Sequence, residues 1–361
     1  MPGLPGRPMR MNAAVQPLHA AAQARLAVDY IDTTNPAEVL ADNHVLAVLG
    51  FGSAAPMQLD DPRYLQVPLE PYHHTGAFEV WRSHGPVRSG RDDGLAWASD
   101  GQLTFGAIEV DERRHASATD PTGVVGAAAH AYARITAFQR NADTPHLLRI
   151  WNYLDAITQG DGDIERYRQF CIGRARGLGD FDPTHLPAAT AIGRCDDARV
   201  LQVYWLAART PGTPLENPRQ VEAWRYPRQY GPQSPSFARA MLPPTHGQSP
   251  LLLSGTASVV GHATRHAGLL LEQIGETFTN FEALIDEARK RQPQLPPVFD
   301  GSSRLKVYVR DRADLPLVAR ALEARLGPDV PRLLLHAAIC RRDLALEIDG
   351  VHGVVHGVVH D

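Results

Sequence analysis

Short apolar runs bounded by turn residues fill the first part of the chain. "HVLAVLGFG" (44–52), "AFEVWRS" (77–83) and "LTFGAIEV" (103–110) predict strands. An alanine-rich stretch with apolar residues at helical spacing (124–142) predicts a helix. From there the pattern repeats. "PHLLRIWNYLDAI" (145–157) reads as a strand and 163–179 as a helix. Residues 186–208 read as two strands around a charged turn. In the C-terminal part, 269–291 predicts a helix, 303–311 a strand and 313–327 a helix. Residues 330–351 again predict two strands around a charged turn. The order helix, strand, helix, strand, strand thus occurs twice. Aligning the turns "GRCDDARV" and "AICRRDLAL" sets Cys195 opposite Cys340 and Gln202 opposite Glu347.

This pattern predicts an α/β (α+β) protein with two pseudo-duplicated units. A Pro- and Gly-rich tail (1–11) precedes an N-terminal unit (12–217), a connecting segment (218–250) and a C-terminal unit (251–361). Two helices would cover one face of each sheet and leave the other face to pack against its twin, with a cleft between. Strand alternation turns Glu347 away from Leu346 and Ile348. Only the second copy keeps an acid there, which fits a site better than a scaffold role, although a solvated strand residue is the plain alternative. The connecting segment is unusually rich in Arg and Tyr for a linker, so it either contributes to a site or packs on the units.

Composition narrows the function classes. With 43% hydrophobic and 21% charged residues, the chain has the balance of a globular protein. A net charge of -4 without a basic run argues against nucleic acid as partner. No window approaches the ~18 apolar residues of a membrane span. Cys171, Cys195 and Cys340 are scattered and odd in number, which argues against a disulfide framework or a structural zinc site and fits a cytoplasmic protein. His352, His356 and His360 recur every four residues, a spacing that could hold a metal on a helix, but the surrounding Gly and Val make a poor helix and no metal is expected. Gly231, Gly255 and Gly261 form no phosphate-binding fingerprint, so no nucleotide cofactor is expected either.

"LLLSGTASVVGH" (251–262), Gln273 and Asn280 in the following helix, and a final strand containing "LEIDG" resemble the Rid (YjgF) fold. The combination of "RIWNYLDAI", "ERYRQFCIGRARG", "YPRQYGPQSPSFARA", "SGTASVVGH" and "CRRDLALEIDG" is similar, more narrowly, to the chorismatases, two-unit relatives of the Rid proteins. Within that family it looks most like the members of xanthomonadin-type pigment pathways that form 3-hydroxybenzoate, in one branch together with 4-hydroxybenzoate. The resemblance implies cleavage of chorismate to pyruvate and a hydroxybenzoate without a cofactor, in a monomer or weak oligomer. It makes Glu347 the proton donor and Cys340 a residue of the site wall, at a position where a dihydrodiol-forming branch has alanine. Ala257 stands at a second variable position.

Chorismate carries two carboxylates, for which arginine forks are the best match. The candidates are Arg149, Arg166, Arg168, Arg320 and Arg332. Arg320 lies in a helix matching a ligand-contacting Rid helix, and Arg332 matches by spacing a carboxylate-binding Rid arginine. Tyr226 and Tyr230 are candidate hydrogen-bond donors or packing residues of the loop. Two other readings stay open: a Rid-type imine deaminase using an arginine and a water-activating glutamate, and a non-catalytic ligand-binding protein.

Overall fold

The computed structural model describes residues 25–353 apart from 34, 58, 74–76, 181 and 245–248. Three sheets organise it. The largest runs in the order Ala338–Ile339, Ala188–Arg194, His146–Asp155, Val200–Ala208, Leu103–Asp111, Leu95–Ser99, Arg88–Asp92. A second runs Arg332–His336, Arg304–Val309, Leu346–His352, Leu251–Thr256, Ala240–Leu242, Thr213–Leu215. Leaving aside the two-residue strand Ala338–Ile339, the two sheets match strand for strand. Each has one parallel pair, His146–Asp155 with Ala188–Arg194 and Arg304–Val309 with Arg332–His336, and each then continues antiparallel. Gln202 sits opposite Tyr153, and Glu347 opposite Tyr308. The repeat seen in the sequence is therefore a repeat of fold.

Both copies carry the expected helix pair. Val124–Asn141 and Arg166–Leu178 cover the first sheet, and Leu270–Arg289 and Leu315–Leu326 the second. The helix predicted from 163 begins at Arg166, because Gly162–Ile164 forms a 3-10 turn. The two helices over the first sheet approach closely because Gly173 and Gly177 lack side chains. A Cβ would come within 2.3 Å of the Val125 carbonyl oxygen at the first and 2.5 Å of the Ala129 carbonyl oxygen at the second.

The pattern did not foretell a third sheet. Tyr64–Val67, Val45–Phe51, Ala77–Ser83 and Leu26–Asp32 follow one another with a parallel first pair and antiparallel neighbours. This is the order of the first four strands of the other two sheets, counted from Ala188–Arg194 and from Arg332–His336, with one short helix, Pro36–Leu40, in place of a helix pair. The segment 12–217 thus holds two sheets. The second sheet also draws Thr213–Leu215 from the expected N-terminal unit and Ala240–Leu242 from the expected connecting segment, so it crosses the 217/218 boundary.

The inner faces of all three sheets meet in one core that includes Leu49, Phe51, Trp81, Phe105, Trp151, Tyr153, Tyr204, Tyr308 and Leu335. Trp151 stacks on Tyr204 at 4.7 Å between ring centroids and meets Trp81 edge-on at 5.5 Å. Truncating such a ring to alanine typically costs about 3–5 kcal/mol. At the centre, Tyr153 Oη lies 3.0 Å from the hydroxyls of both Tyr204 and Tyr308, so the buried polar tips satisfy one another. Among the described residues no helix is long and apolar enough to cross a membrane.

Candidate active site

The strand Leu346–His352 alternates as expected. Leu346 and Ile348 enter the core under the helices, while Glu347 and Asp349 point to the opposite face. There they meet the neighbouring sheet, whose strand Ala188–Arg194 carries Thr190. A cavity of about 310 Å³ opens at this junction. Ser254 ties its floor together: its hydroxyl accepts from the Ala189 amide at 2.9 Å and donates to the Ala238 carbonyl at 2.6 Å.

Glu347 is buried, 5% exposed. Its side chain lies over Gly255, where the register between Leu251–Thr256 and the last strand slips, so that Ser254 and Gly255 together oppose Asp349 alone. A Cβ on Gly255 would stand 1.8 Å from Oε1 of Glu347. Among the described residues, the Glu347 carboxyl accepts one hydrogen bond, a weak one from the Cys340 thiol, Sγ to Oε2 3.8 Å. Burial, and then the charge of Asp349, push its pKa up to about 8, outweighing the hydrogen bond from Cys340 and the pull of Arg149 and Arg239. At neutral pH Glu347 is therefore mostly a neutral acid with a proton to give. Burial also pushes the Cys340 thiol well up, with Glu347 adding to it, and takes Cys171 up to about 12. Neither thiol is ionised near neutrality, so neither is poised as a nucleophile.

Three further elements close the cavity. The helix Arg166–Leu178 contributes Tyr167, Cys171 and Arg174 from one face, with Arg168 beside them. The connecting segment contributes Tyr226, Tyr230 and Arg239, and Ala257 follows the bulged strand. Arg239 donates to the Tyr226 hydroxyl at 2.8 Å and to the Val221 carbonyl at 2.9 Å. The Arg341 guanidinium stacks on Tyr230, 4.4 Å from the ring centroid, and donates to the His262 carbonyl at 2.9 Å. The Tyr226 and Tyr230 rings are 5.4 Å apart, so these aromatic faces and cations form one wall. Arg174 and Arg239 are each 5% exposed. Nε and Nη2 of Arg174 and Nε of Arg239 are buried without a hydrogen-bond partner among the described residues. Guanidinium groups lining a cavity suit an anionic, oxygen-rich ligand.

Of the residues singled out in the sequence, Glu347, Cys340, Arg168, Tyr226, Tyr230 and Ala257 line this cavity. Arg149 does not. It lies behind the wall, fully buried, bonded to Asp349 at 3.0 Å and to Thr190. Arg166 is likewise consumed by a buried pair with Glu112 at 2.6 Å. Arg320 is exposed on the outer helix Leu315–Leu326. Arg332 heads an edge strand and is tied to Glu323 and to the Gly327 and Val330 carbonyls. Spacing to a Rid pattern put Arg320 and Arg332 in the site, but their sheet edge and helix do not border this cavity. Arg174, Arg239 and Arg341 were missed although they stand inside the motif segments. The helical spacing of Tyr167, Cys171 and Arg174 is the signal that would have found the first of them. His352 uses both ring nitrogens, on Ser303 and the Pro296 carbonyl, and His356 and His360 lie outside the described residues.

The equivalent position in the first copy differs. Gln202 replaces the acid and donates to Glu109 at 2.7 Å and to the Gln66 carbonyl at 2.8 Å. Of the two copies, only the C-terminal one carries a buried acid here.

Comparison with known proteins places these features. The family model for the N-terminal part of FkbO/Hyg5-like chorismatases matches residues 79–207. A chorismatase of Streptomyces hygroscopicus is 38% identical over 76% of this chain and 78% of its own length. A 3-hydroxybenzoate synthase of the same organism is 32% identical over 85% of this chain and 91% of its own. A chorismatase crystal structure superimposes with a TM-score of 0.79 at 33% identity, covering 92% of this chain and 100% of that one.

Proposed function

Since the chain belongs to the chorismatase family, we propose that it cleaves chorismate to pyruvate and 3-hydroxybenzoate, 4-hydroxybenzoate or both, with Glu347 as the acid. The observation that carries this reading is a buried Glu347, its pKa raised to about 8, in a cavity lined by Arg168, Arg174, Arg239 and Arg341. Two carboxylates of the substrate can be taken up by the cluster of Arg168, Arg174, Arg239 and Arg341. The enolpyruvyl methylene carbon then receives the proton of Glu347, which makes the side chain a good leaving group, ready to depart as the bond between the ring carbon and the ether oxygen breaks. A neighbouring ring hydroxyl displaces the side chain as pyruvate, giving an epoxide that opens to the hydroxybenzoate. The proton released from that hydroxyl restores Glu347, and no net water is used. Attack by water instead would leave a dihydrodiol.

The deaminase reading needs Arg332 at a substrate carboxylate, and Arg332 is held elsewhere. The test is direct. Purified, chelator-treated protein is incubated with chorismate, pyruvate is assayed, and the aromatic products are separated. Hydroxybenzoate and pyruvate in equal amounts are expected, and no turnover would overturn the proposal.

Cys340 lies 3.8 Å from the acid and borders the cavity. Internal attack needs a tight pose without competing water. Cys340→Ala should keep pyruvate release while moving part of the product from hydroxybenzoate toward dihydrodiol, read by chromatography. Loss of pyruvate release in a folded variant would point to a chemical role for the thiol. Arg239→Met should act mainly on binding. Removing one partner of a buried, hydrogen-bonded charge costs about 2–5 kcal/mol, so kcat/KM should fall on the order of 30-fold or more, chiefly through KM. A steady-state rate series over chorismate concentration measures this.

A further inference from the structure

Glu347 and Asp349 share a strand face two residues apart, yet their surroundings are opposite. The Asp349 carboxylate accepts from Thr190 Oγ1 at 2.7 Å, Arg149 Nη2 at 3.0 Å and Tyr308 Oη at 3.1 Å. The Lys306 ammonium stands 3.8 Å from its other oxygen and binds Glu79 at 2.8 Å. All of these groups are buried. Three donors and two cations therefore gather on one carboxylate, whereas the hydrogen bond recorded for Glu347 comes from a thiol. When two close carboxyls differ in this way, the one better supplied with donors and cations holds the negative charge and the other the proton.

We propose that Asp349 is the positioning residue of this site: its clamped carboxylate, one layer behind the cavity, keeps the proton on Glu347. The inference rests on Glu347 being the acid. Asp349 itself does not border the cavity, while Thr190 does and links the two layers. The clamp also accounts for Arg149, which the sequence alone assigned to substrate. The charged and titratable groups facing Glu347 are Asp349 from its own strand, Cys340 from the preceding turn, Arg149 from His146–Asp155, Arg239 from the connecting segment and Tyr167 from the helix above. Of these, Asp349 is the negative charge that opposes ionisation of Glu347, and its influence exceeds those of Arg149 and Arg239.

The test is the pH profile of kcat/KM, which reports the free enzyme. Wild-type activity should hold at acidic pH and fall as pH rises through about 8, where Glu347 loses its proton. Asp349→Asn removes the opposing charge, so the fall should begin at least about one pH unit lower. In that case activity stays within a few-fold of wild type on the acidic plateau but drops about tenfold at pH 8. A merely structural role would lower kcat/KM equally at every pH. Leaving Arg149 and Lys306 without their partner could unfold the single variant. The double variant Arg149→Met/Asp349→Asn removes the ion pair as a unit and should show a smaller downward shift, because the pull of Arg149 is removed with the larger push of Asp349. Glu347→Gln is run in parallel. If Glu347→Gln is inactive and neither Asp349 variant moves the limb, Asp349 has no such role. If Glu347→Gln is active, the assignment of the acid is itself wrong.

Discussion

Replacing Glu347 with glutamine should lower chorismate turnover by about 100- to 10,000-fold, the usual contribution of a positioned general acid. The amide fills the same space above Gly255 but has no acidic proton to give. Affinity for the dianionic substrate should stay the same or improve, because a group able to become negative has gone. The same substitution should have a signature in stability. In the folded chain the pKa of Glu347 is raised to about 8, whereas in the unfolded chain it returns to about 4.3. A group raised in this way contributes stability that is fully present below the unfolded value and is lost as pH rises through the folded one. Glutamine cannot ionise. The variant should therefore gain stability relative to wild type as pH climbs from 5 to 9, and thermal melts at the two ends would show it. Near-native turnover in a folded Glu347→Gln protein would remove Glu347 from the mechanism.

The duplication was legible because it lies in the order and period of apolar runs, which each sheet's burial enforces. Both helix pairs and the opposition of Gln202 and Glu347 followed from it. The third sheet was not legible. Its four strands carry a single short helix, so no alternation of helix and strand marks the unit; Leu26–Asp32 mixes apolar and acidic residues, and Tyr64–Val67 is only four residues long. The site divides similarly. Glu347 could be found because alternation fixes its face, and Tyr226 and Tyr230 because their loop is unlike a linker. Which arginines meet the cavity could not, because an arginine's partner is chosen by tertiary packing. Arg149 and Arg174 lie on neighbouring elements, yet one ends behind the wall against Asp349 and the other lines the cavity. Asp349 was passed over because the residue two positions from a candidate acid reads as scaffold until its partners, Thr190 from another sheet and Arg149 at a separation of 200 residues, are seen.

Gly255→Ala should lower turnover by about 100-fold without touching any group that reacts. The added methyl would lie 1.8 Å from Oε1 and 2.8 Å from Cδ of Glu347, with Thr190 Cγ2 at 3.3 Å on its other side. The bulge at Ser254 and Gly255 sets the backbone there, and Ser254 is anchored to Ala189 and Ala238, so the strand has little room to retreat. The carboxyl must move instead, and a displacement of about 1 Å in a catalytic group can cost on the order of 100-fold in rate. The substitution displaces the acid that Glu347→Gln abolishes, and this permits a decisive comparison. If Gly255 acts only by placing Glu347, the double variant Gly255→Ala/Glu347→Gln should be no slower than Glu347→Gln alone, because an acid already removed cannot be misplaced. Steady-state rates of the two single variants and the double variant measure this coupling. Losses that multiply would mean instead that the methyl obstructs the substrate, and that the space above Gly255 belongs to chorismate as well as to the acid.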